Sequence, residues 1–236
     1  SITGDVNFNI IKSNGRTIQG ICYKTIILEN DDRLDIISTN KSVYGYLSIH
    51  GGFKLKKFLN SYSTTTRAKV GANDGKKIQM NQKIFLNEIK NLNLKNKLDY
   101  INSKIEFIRI LKGTNFDYFS HQMINKFLSE EFFVTKLTDR MGMRLKGIKI
   151  KNLKNTNIKS EGIVKGTIQV PADGNPIIML SDHGTIGGYP KIGVVISSDY
   201  DKLVQLPSSS KIKFKLIELK EAEKMYKLYN METDNL

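Results

Sequence analysis

Ser160–Ile192 reads SEGIVKGTIQVPADGNPIIMLSDHGTIGGYPKI. Two apolar runs, Gly166–Val170 and Pro176–Leu180, flank Pro171-Ala172-Asp173-Gly174-Asn175. Proline presets one backbone angle and glycine supplies the left-handed one, so the segment is expected to fold as a β-hairpin. A turn-rich stretch, Ser181–Pro190, precedes a further apolar strand, Ile192–Ile196. Gly184, Gly187 and Gly188 free the backbone there to approach a ligand closely. Asp182, His183, Tyr189 and Lys191 stand in or beside that loop. Polar loops held on strands are where binding and catalysis concentrate.

Outward from the hairpin the chain keeps a strand rhythm. Gly4–Ile11 alternates through Val6, Phe8 and Ile10; Thr17–Tyr23, Thr25–Leu28, Leu34–Ser38 and Val43–Ile49 continue it, with Asn30-Asp31-Asp32 as a turn. Downstream, Ile105–Leu111, Phe132–Thr135, Met141–Leu145 and Lys211–Ile217 are expected strands, and Ser120–Leu128 a helix with Met123, Ile124, Phe127 and Leu128 on one face. The tail after Glu218 has helical character. The expected fold class is mainly β with a few helices, in two β-rich units of barrel or sandwich type. The lysine- and asparagine-rich patch near 89–104 reads as a linker between a unit at 1–88 and a unit at 105–222, with a tail at 223–236.

At 236 residues and 39% apolar content the chain can bury a substantial core. No run approaches the ~18 apolar residues of a membrane span. The N-terminus lacks the basic-then-apolar pattern of a secretion signal. A single cysteine, Cys22, rules out an internal disulfide and suits a reducing compartment, so a cytoplasmic location is expected. The net charge of +14 raises the question of nucleic acid. The excess is lysine, spread along the chain, with only six arginines, and arginine forks dominate specific recognition. No nucleic-acid or membrane partner is expected.

Several pieces carry a family resemblance: SEG at 160–162, G-x-IQVPADGxPI at 166–177, GGYPKI at 187–192, DRMGMRL at 139–145, YLSIHGG at 46–52 and the S-x-ST…RA pattern at 61–68. In order and across nearly the whole chain they resemble the allophanate hydrolase subunit 2 family, also called the biotin-dependent carboxyltransferase-like or 5-oxoprolinase C-subunit family. The resemblance implies cyclophilin-like β-barrel architecture. It starts at SITGD, where the family reads ALTGA, so the family's N-terminal segment with its VQDLGRPG-like motif is expected to be absent. Gly184 replaces a glutamine common in the family, and Tyr62 and Thr65 stand where it carries arginine and aspartate.

Each candidate has a functional and a structural reading. Asp182 is placed to take a proton from an amide or ureido nitrogen, or only to cap turn amides. Gly187-Gly188-Tyr189-Pro190 suggests a tight turn with a positive backbone angle, whose amides suit an anion, or only a strand connection. Lys191 is an anion ligand or a solvated charge. Arg140 and Arg144 share a strand face about 13 Å apart, too far to clamp one small carboxylate, so one would bind substrate while the other pairs with Asp139, Glu161 or a partner. The resulting set is Asp182, Arg140 and Asp139 as catalytic candidates, with Arg144, Gln169, His183, Gly187, Gly188, Tyr189 and Lys191 as substrate-binding candidates. No metal ligand is expected, and no G-x-S-x-G elbow or Walker A motif is present.

The resemblance implies one member of an ATP-dependent 5-oxoprolinase complex that opens 5-oxo-L-proline to L-glutamate, with B-like and A-like 5-oxoprolinase subunits as partners. ATP would then sit on a partner or an interface. Alternatives are a carboxyltransferase domain that moves carboxylate from carboxybiotin to a urea-like nitrogen, with biotin as cofactor only in that case; a non-catalytic regulatory partner of a B-subunit homologue; and a decayed remnant.

Overall fold

The computed structural model describes residues 1–88, 106–154 and 156–234, so the expected linker at 89–104 lies outside the described residues. The chain divides into two compact units. One is formed by Ser1–Ser38 with the segment from Gly45; the other by Thr39–Tyr44 with the segment that ends at Leu236.

The first unit is a set of short strands: β1 (Ile2–Thr3), β2 (Val6–Ile11), β3 (Thr17–Gln19), β4 (Arg33–Thr39), β5 (Tyr46–Leu47), β6 (Thr64–Thr65) and β7 (Val70–Gly71). They form a three-stranded sheet ordered β3-β2-β4 and two-stranded pairs β1-β5 and β6-β7. The alternation read in Val6, Phe8 and Ile10 is real: Val6 and Phe8 are buried and, with Ile2, make this unit's core cluster. Thr25–Leu28 is not a strand. Ile26 packs against the core cluster, but Ile27 and Leu28 stay exposed, so little buried face rewards extended pairing there.

The second unit holds the main core. Its strands are β8 (Ile108–Lys112), β9 (Phe132–Val134), β10 (Gly142–Lys146), β11 (Glu161–Gly162), β12 (Thr167–Gln169), β13 (Ile177–Met179), β14 (Ile186–Gly187), β15 (Lys191–Val195), β16 (Lys211–Ile212) and β17 (Phe214–Leu216). Eight of them make one sheet ordered β16-β9-β10-β13-β12-β15-β8-β17. The strand expected at Lys211–Ile217 breaks at Lys213 into β16 and β17, which lie at opposite edges of the sheet, so consecutive residues bring the edges together and the sheet nearly closes into a barrel.

Three helices accompany it among the described residues. Helix α1 (His121–Ser129) starts at Ser120, whose side chain accepts a hydrogen bond from the Met123 amide, and buries Ile124 and Phe127. Phe127 stacks on Phe214 at 4.6 Å between ring centres, and Phe132 leans on both. Helix α2 (Ser197–Val204) is tied to β8 by Asp199, fully buried, which accepts from the Arg109 amide and guanidinium. Helix α3 (Leu219–Asp234) packs through Ala222 onto Ile196 and Ile217. No described helix is long and apolar enough to cross a membrane.

Candidate functional site

The hairpin expected over 166–180 forms as β12 and β13, paired Ile168 to Ile178 and Gln169 to Ile177. Its turn is closed by the Gly174 amide donating to the Pro171 carbonyl at 3.0 Å, and Gly174 takes the left-handed φ of +74°. Period-two alternation then sorts the strands: Met143, Ile168 and Ile178 point into the core, whereas Arg144, Ile177 and Gln169 point away from it. On the far side, Gln169 is level with Lys191 of β15, next to a β-bulge that takes in Ile192. Bulges re-aim a side chain, and here one neighbour goes to the core while Lys191 goes to the outer face. Four strands thus present Arg144, Ile177, Gln169 and Lys191 as one row.

A ribbon made of β11 and β14 lies over one end of that row. Glu161 pairs with Gly187, and Gly162 with Ile186. Beneath it Lys191 is 2% exposed, and its Nζ donates to Glu161 Oε2 at 2.9 Å. The Lys191 amide donates to Asn115 Oδ1 at 3.1 Å, and the Asn115 side chain lies near enough to Glu161 to act on its carboxyl. The Lys191 hydrogen bond, with help from Asn115, holds the Glu161 carboxyl below its ordinary range. Gln169 is buried too, and its Nε2 has no hydrogen-bond partner. A Cβ added at Gly187 would meet that nitrogen at 2.3 Å. The site therefore gathers an ammonium, a carboxylate and two amides, one of them an unused donor, in a place shielded from water where such groups act strongly.

Arg140 and Asp182 form a second cluster. Arg140 Nε and Nη2 donate to the two oxygens of Asp182 at 2.7 and 3.1 Å, and the Asp182 amide donates to the Arg140 carbonyl. The Arg140 fork holds the Asp182 carboxyl below its ordinary range. The pair is solvent-facing, with the arginine side chain 61% exposed. It sits beyond Met179, whereas Gln169 and Lys191 are level with Ile177. The chain after β13 carries Asp182 at one end of the sheet, then returns as β14 to deliver Gly187 and Lys191 at the other. The sequence-derived candidates therefore fall into two places.

Several expectations change. Neither Gly187 nor Gly188 has a positive φ, so the anticipated tight turn with its cradle of amides is absent; Gly187 is in a strand and the Gly188 carbonyl accepts from Ile158. Gly187 is small because Gln169 lies against it. Lys191 is not a solvated charge. Arg140 lies outside β10 and pairs with Asp182 rather than with Asp139 or Glu161. Asp139 accepts the amides of Met141 and Gly142, a turn-capping role. His183 contacts the Gly184 carbonyl, and Tyr189 is partly exposed. The Arg144 charge reaches the Asp173 carboxylate at the hairpin turn. Sequence reading missed Asn115 and the Ser181–Tyr200 hydroxyl pair at 3.1 Å, where burial pushes the Tyr200 hydroxyl up.

The Ser181–Pro190 loop does not form an amide nest for phosphates, which needs left-handed backbone: none of Gly184, Gly187 and Gly188 adopts it. Among the described residues no group of three His, Cys, Asp or Glu side chains is arranged to hold a metal ion. Comparison with known proteins places the chain in a family. Residues 2–216 match the carboxyltransferase domain, subdomain A and B. The chain belongs to this family. Within the carboxyltransferase-domain family, it is 32% identical over 195 residues to the 5-oxoprolinase C-subunit of Haemophilus influenzae and 28% identical over 196 residues to that of Escherichia coli. These alignments take in 82% and 81% of this chain and 62% of each relative, so the chain spans about three-fifths of their length. Urea amidolyase of Saccharomyces cerevisiae is 26% identical over 215 residues, which are 81% of this chain and 12% of that protein. In structure, the urea carboxylase of Kluyveromyces lactis superposes over the whole chain, and over 23% of its own, with a TM-score of 0.86 at 22% identity, a likeness of fold.

Proposed function

We propose that this carboxyltransferase-domain chain is one member of an ATP-dependent 5-oxoprolinase complex, working with B-like and A-like 5-oxoprolinase subunits to open 5-oxo-L-proline to L-glutamate. The observation that carries the reading is the shielded set of Lys191, Asn115 and Gln169. A small lactam acid needs one cationic partner for its carboxylate and neutral donors for its amide carbonyl. Lys191 and Asn115 are a carboxylate pair of that kind, and the unused Gln169 amide is a carbonyl donor. In the reaction, water adds across the lactam C–N bond and the ring nitrogen becomes the amine of glutamate. ATP is assigned to another polypeptide of the complex. Arg140 and Asp182 lie apart from this set and are assigned to the face that meets a partner or orders the loop. The first unit supports membership of a complex, because β4 alone leaves Ile36 and Ile37 more than half exposed.

The test is reconstitution. Purified chain with 5-oxo-L-proline and ATP should release no glutamate until the B-like and A-like partners are added. Release by this chain alone, or none from the full mixture, overturns the proposal. The family match supports carboxyl transfer as the second reading; biotin-dependent carboxylation of urea by the same mixture, in place of glutamate release, would select it.

A further inference from the structure

We propose that the Glu161 carboxylate is a built-in occupant of a carboxylate-binding site formed by Lys191, Asn115 and Gln169, and that a ligand's carboxylate displaces it. The naming of 5-oxoproline as that ligand rests on the reading above; the displacement itself does not. The first ground is an asymmetry. Lys191 is fixed within the central sheet with its side chain 3% exposed, whereas Glu161 comes from a two-residue strand with its side chain 44% exposed. A buried ammonium requires a counter-charge, and here the counter-charge arrives from outside the sheet.

The second ground is the donor set. The Glu161 carboxylate takes a hydrogen bond from the Lys191 ammonium at 2.9 Å and has the Asn115 side chain beside it, surroundings a free carboxylate would seek. An ammonium has three donor positions, and Glu161 is its hydrogen-bond partner among the described residues. The third ground is Gln169 Nε2, buried and unpartnered beside Gly187. A buried donor without an acceptor is costly, and a ligand with a carbonyl next to its carboxylate would satisfy it as Glu161 does not. The class of ligand is therefore a small carboxylic acid with a neighbouring amide carbonyl.

The fourth ground is the thinness of the cover. The ribbon leaves Ile186 64% and Val164 59% exposed, and a Cβ at Gly162 would meet nothing within 4 Å. Besides its own pairing and the buried side chain of Ile163, it is held by the Ile158 amide on the Gly188 carbonyl, by Val164 on Thr167 and by Glu161 on Lys191. Segments with so few buried contacts open at low cost. Displacing Glu161 releases one of those ties, so ligand entry and ribbon lifting are one event.

The experiment titrates the full chain with 5-oxo-L-proline and, separately, with acetate, by calorimetry. Glu161→Gln keeps the shape and removes the competing charge, so 5-oxoproline should bind it at least about tenfold more tightly than wild type, and Lys191→Met should bind neither probe. Tighter acetate binding without tighter 5-oxoproline binding supports displacement and overturns the lactam reading. Equal or weaker binding of both probes by folded Glu161→Gln overturns the displacement. Should that variant not fold, hydrogen exchange of the Ile158 and Ile163 amides in wild type decides: faster exchange with saturating 5-oxoproline supports the proposal, and unchanged exchange overturns it.

Discussion

Gly187→Ala puts a methyl into the space between the ribbon and the polar row. The new Cβ would lie 2.3 Å from Gln169 Nε2 and 3.2 Å from its Cδ and Oε1. Gln169 is 4% exposed on a central strand, so it cannot swing into solvent, and either it or the ribbon must move. Overpacking of this kind costs about 1–3 kcal/mol. Replacing a strand glycine returns about 0.5–1 kcal/mol of backbone entropy. The net is a loss of about 1–2 kcal/mol, or about 2–8 °C in Tm for a domain of this size. Two neighbours serve as controls. At Gly188 the nearest atoms are the Ile158 carbonyl oxygen at 3.3 Å and Ser160 Oγ at 3.6 Å, and at Gly162 nothing lies within 4 Å. Alanine should be near neutral at the first and neutral or slightly stabilising at the second. Thermal unfolding of the three variants, followed by circular dichroism, separates them. If Gly187→Ala melts with Gly162→Ala, the close approach of ribbon and Gln169 is refuted.

Other expected outcomes follow from the same contacts. Asp199→Ala leaves Arg109 without the buried carboxylate that holds it; because that arginine is partly exposed, a loss of about 2–3 kcal/mol in urea unfolding is expected, and a loss below about 1 kcal/mol would reduce the pair to a surface contact. Gly174→Ala forces a left-handed φ on alanine with backbone of Ile150 at 3.1 Å, so it should cost at least about 1 kcal/mol by the same measurement, and neutrality would contradict the turn. Arg140 lowers the Asp182 pKa, so the pair contributes stability above the ordinary carboxylate range and loses it as pH falls through the depressed value. With the arginine mostly exposed, Asp182→Asn should cost less than about 1 kcal/mol at neutral pH, and the difference from wild type should shrink below about pH 4; a difference that grows on acidification has the wrong sign.

Much of the scaffold was legible because it depends on local rules. Pro171 and Gly174 announce a turn, and the alternation read through Val6 and Phe8 puts both in the first unit's core. The apolar face over Ser120–Leu128 announced helix α1, which forms over His121–Ser129 and buries Ile124 and Phe127. The site was only partly legible, because it is assembled across strands that are distant in sequence. Lys191 reads as a surface charge until the pairing with Gln169 and the cover by Glu161 are known. Asn115, 76 residues from Lys191, carries no signal beyond its place in a turn. Gly187 was singled out for backbone freedom, whereas Gln169 packed against it shows that lack of a side chain is what matters there. Asp182 and Lys191, nine positions apart, look like one cluster in the sequence, but β14 carries the chain from one end of the sheet to the other between them.

Glutamate release from 5-oxo-L-proline by the reconstituted complex, compared between wild type and Lys191→Met, tests the assignment most directly. Lys191 is buried against Glu161, so the variant should first be shown by circular dichroism to be folded and to assemble with its partners. Expected is ATP-dependent release with the wild-type chain and a loss of at least about a hundredfold in kcat/KM with Lys191→Met, the size that follows removal of a charged partner from a shielded site. Turnover by folded, assembled Lys191→Met at the wild-type rate would contradict the placement of the substrate carboxylate on this lysine.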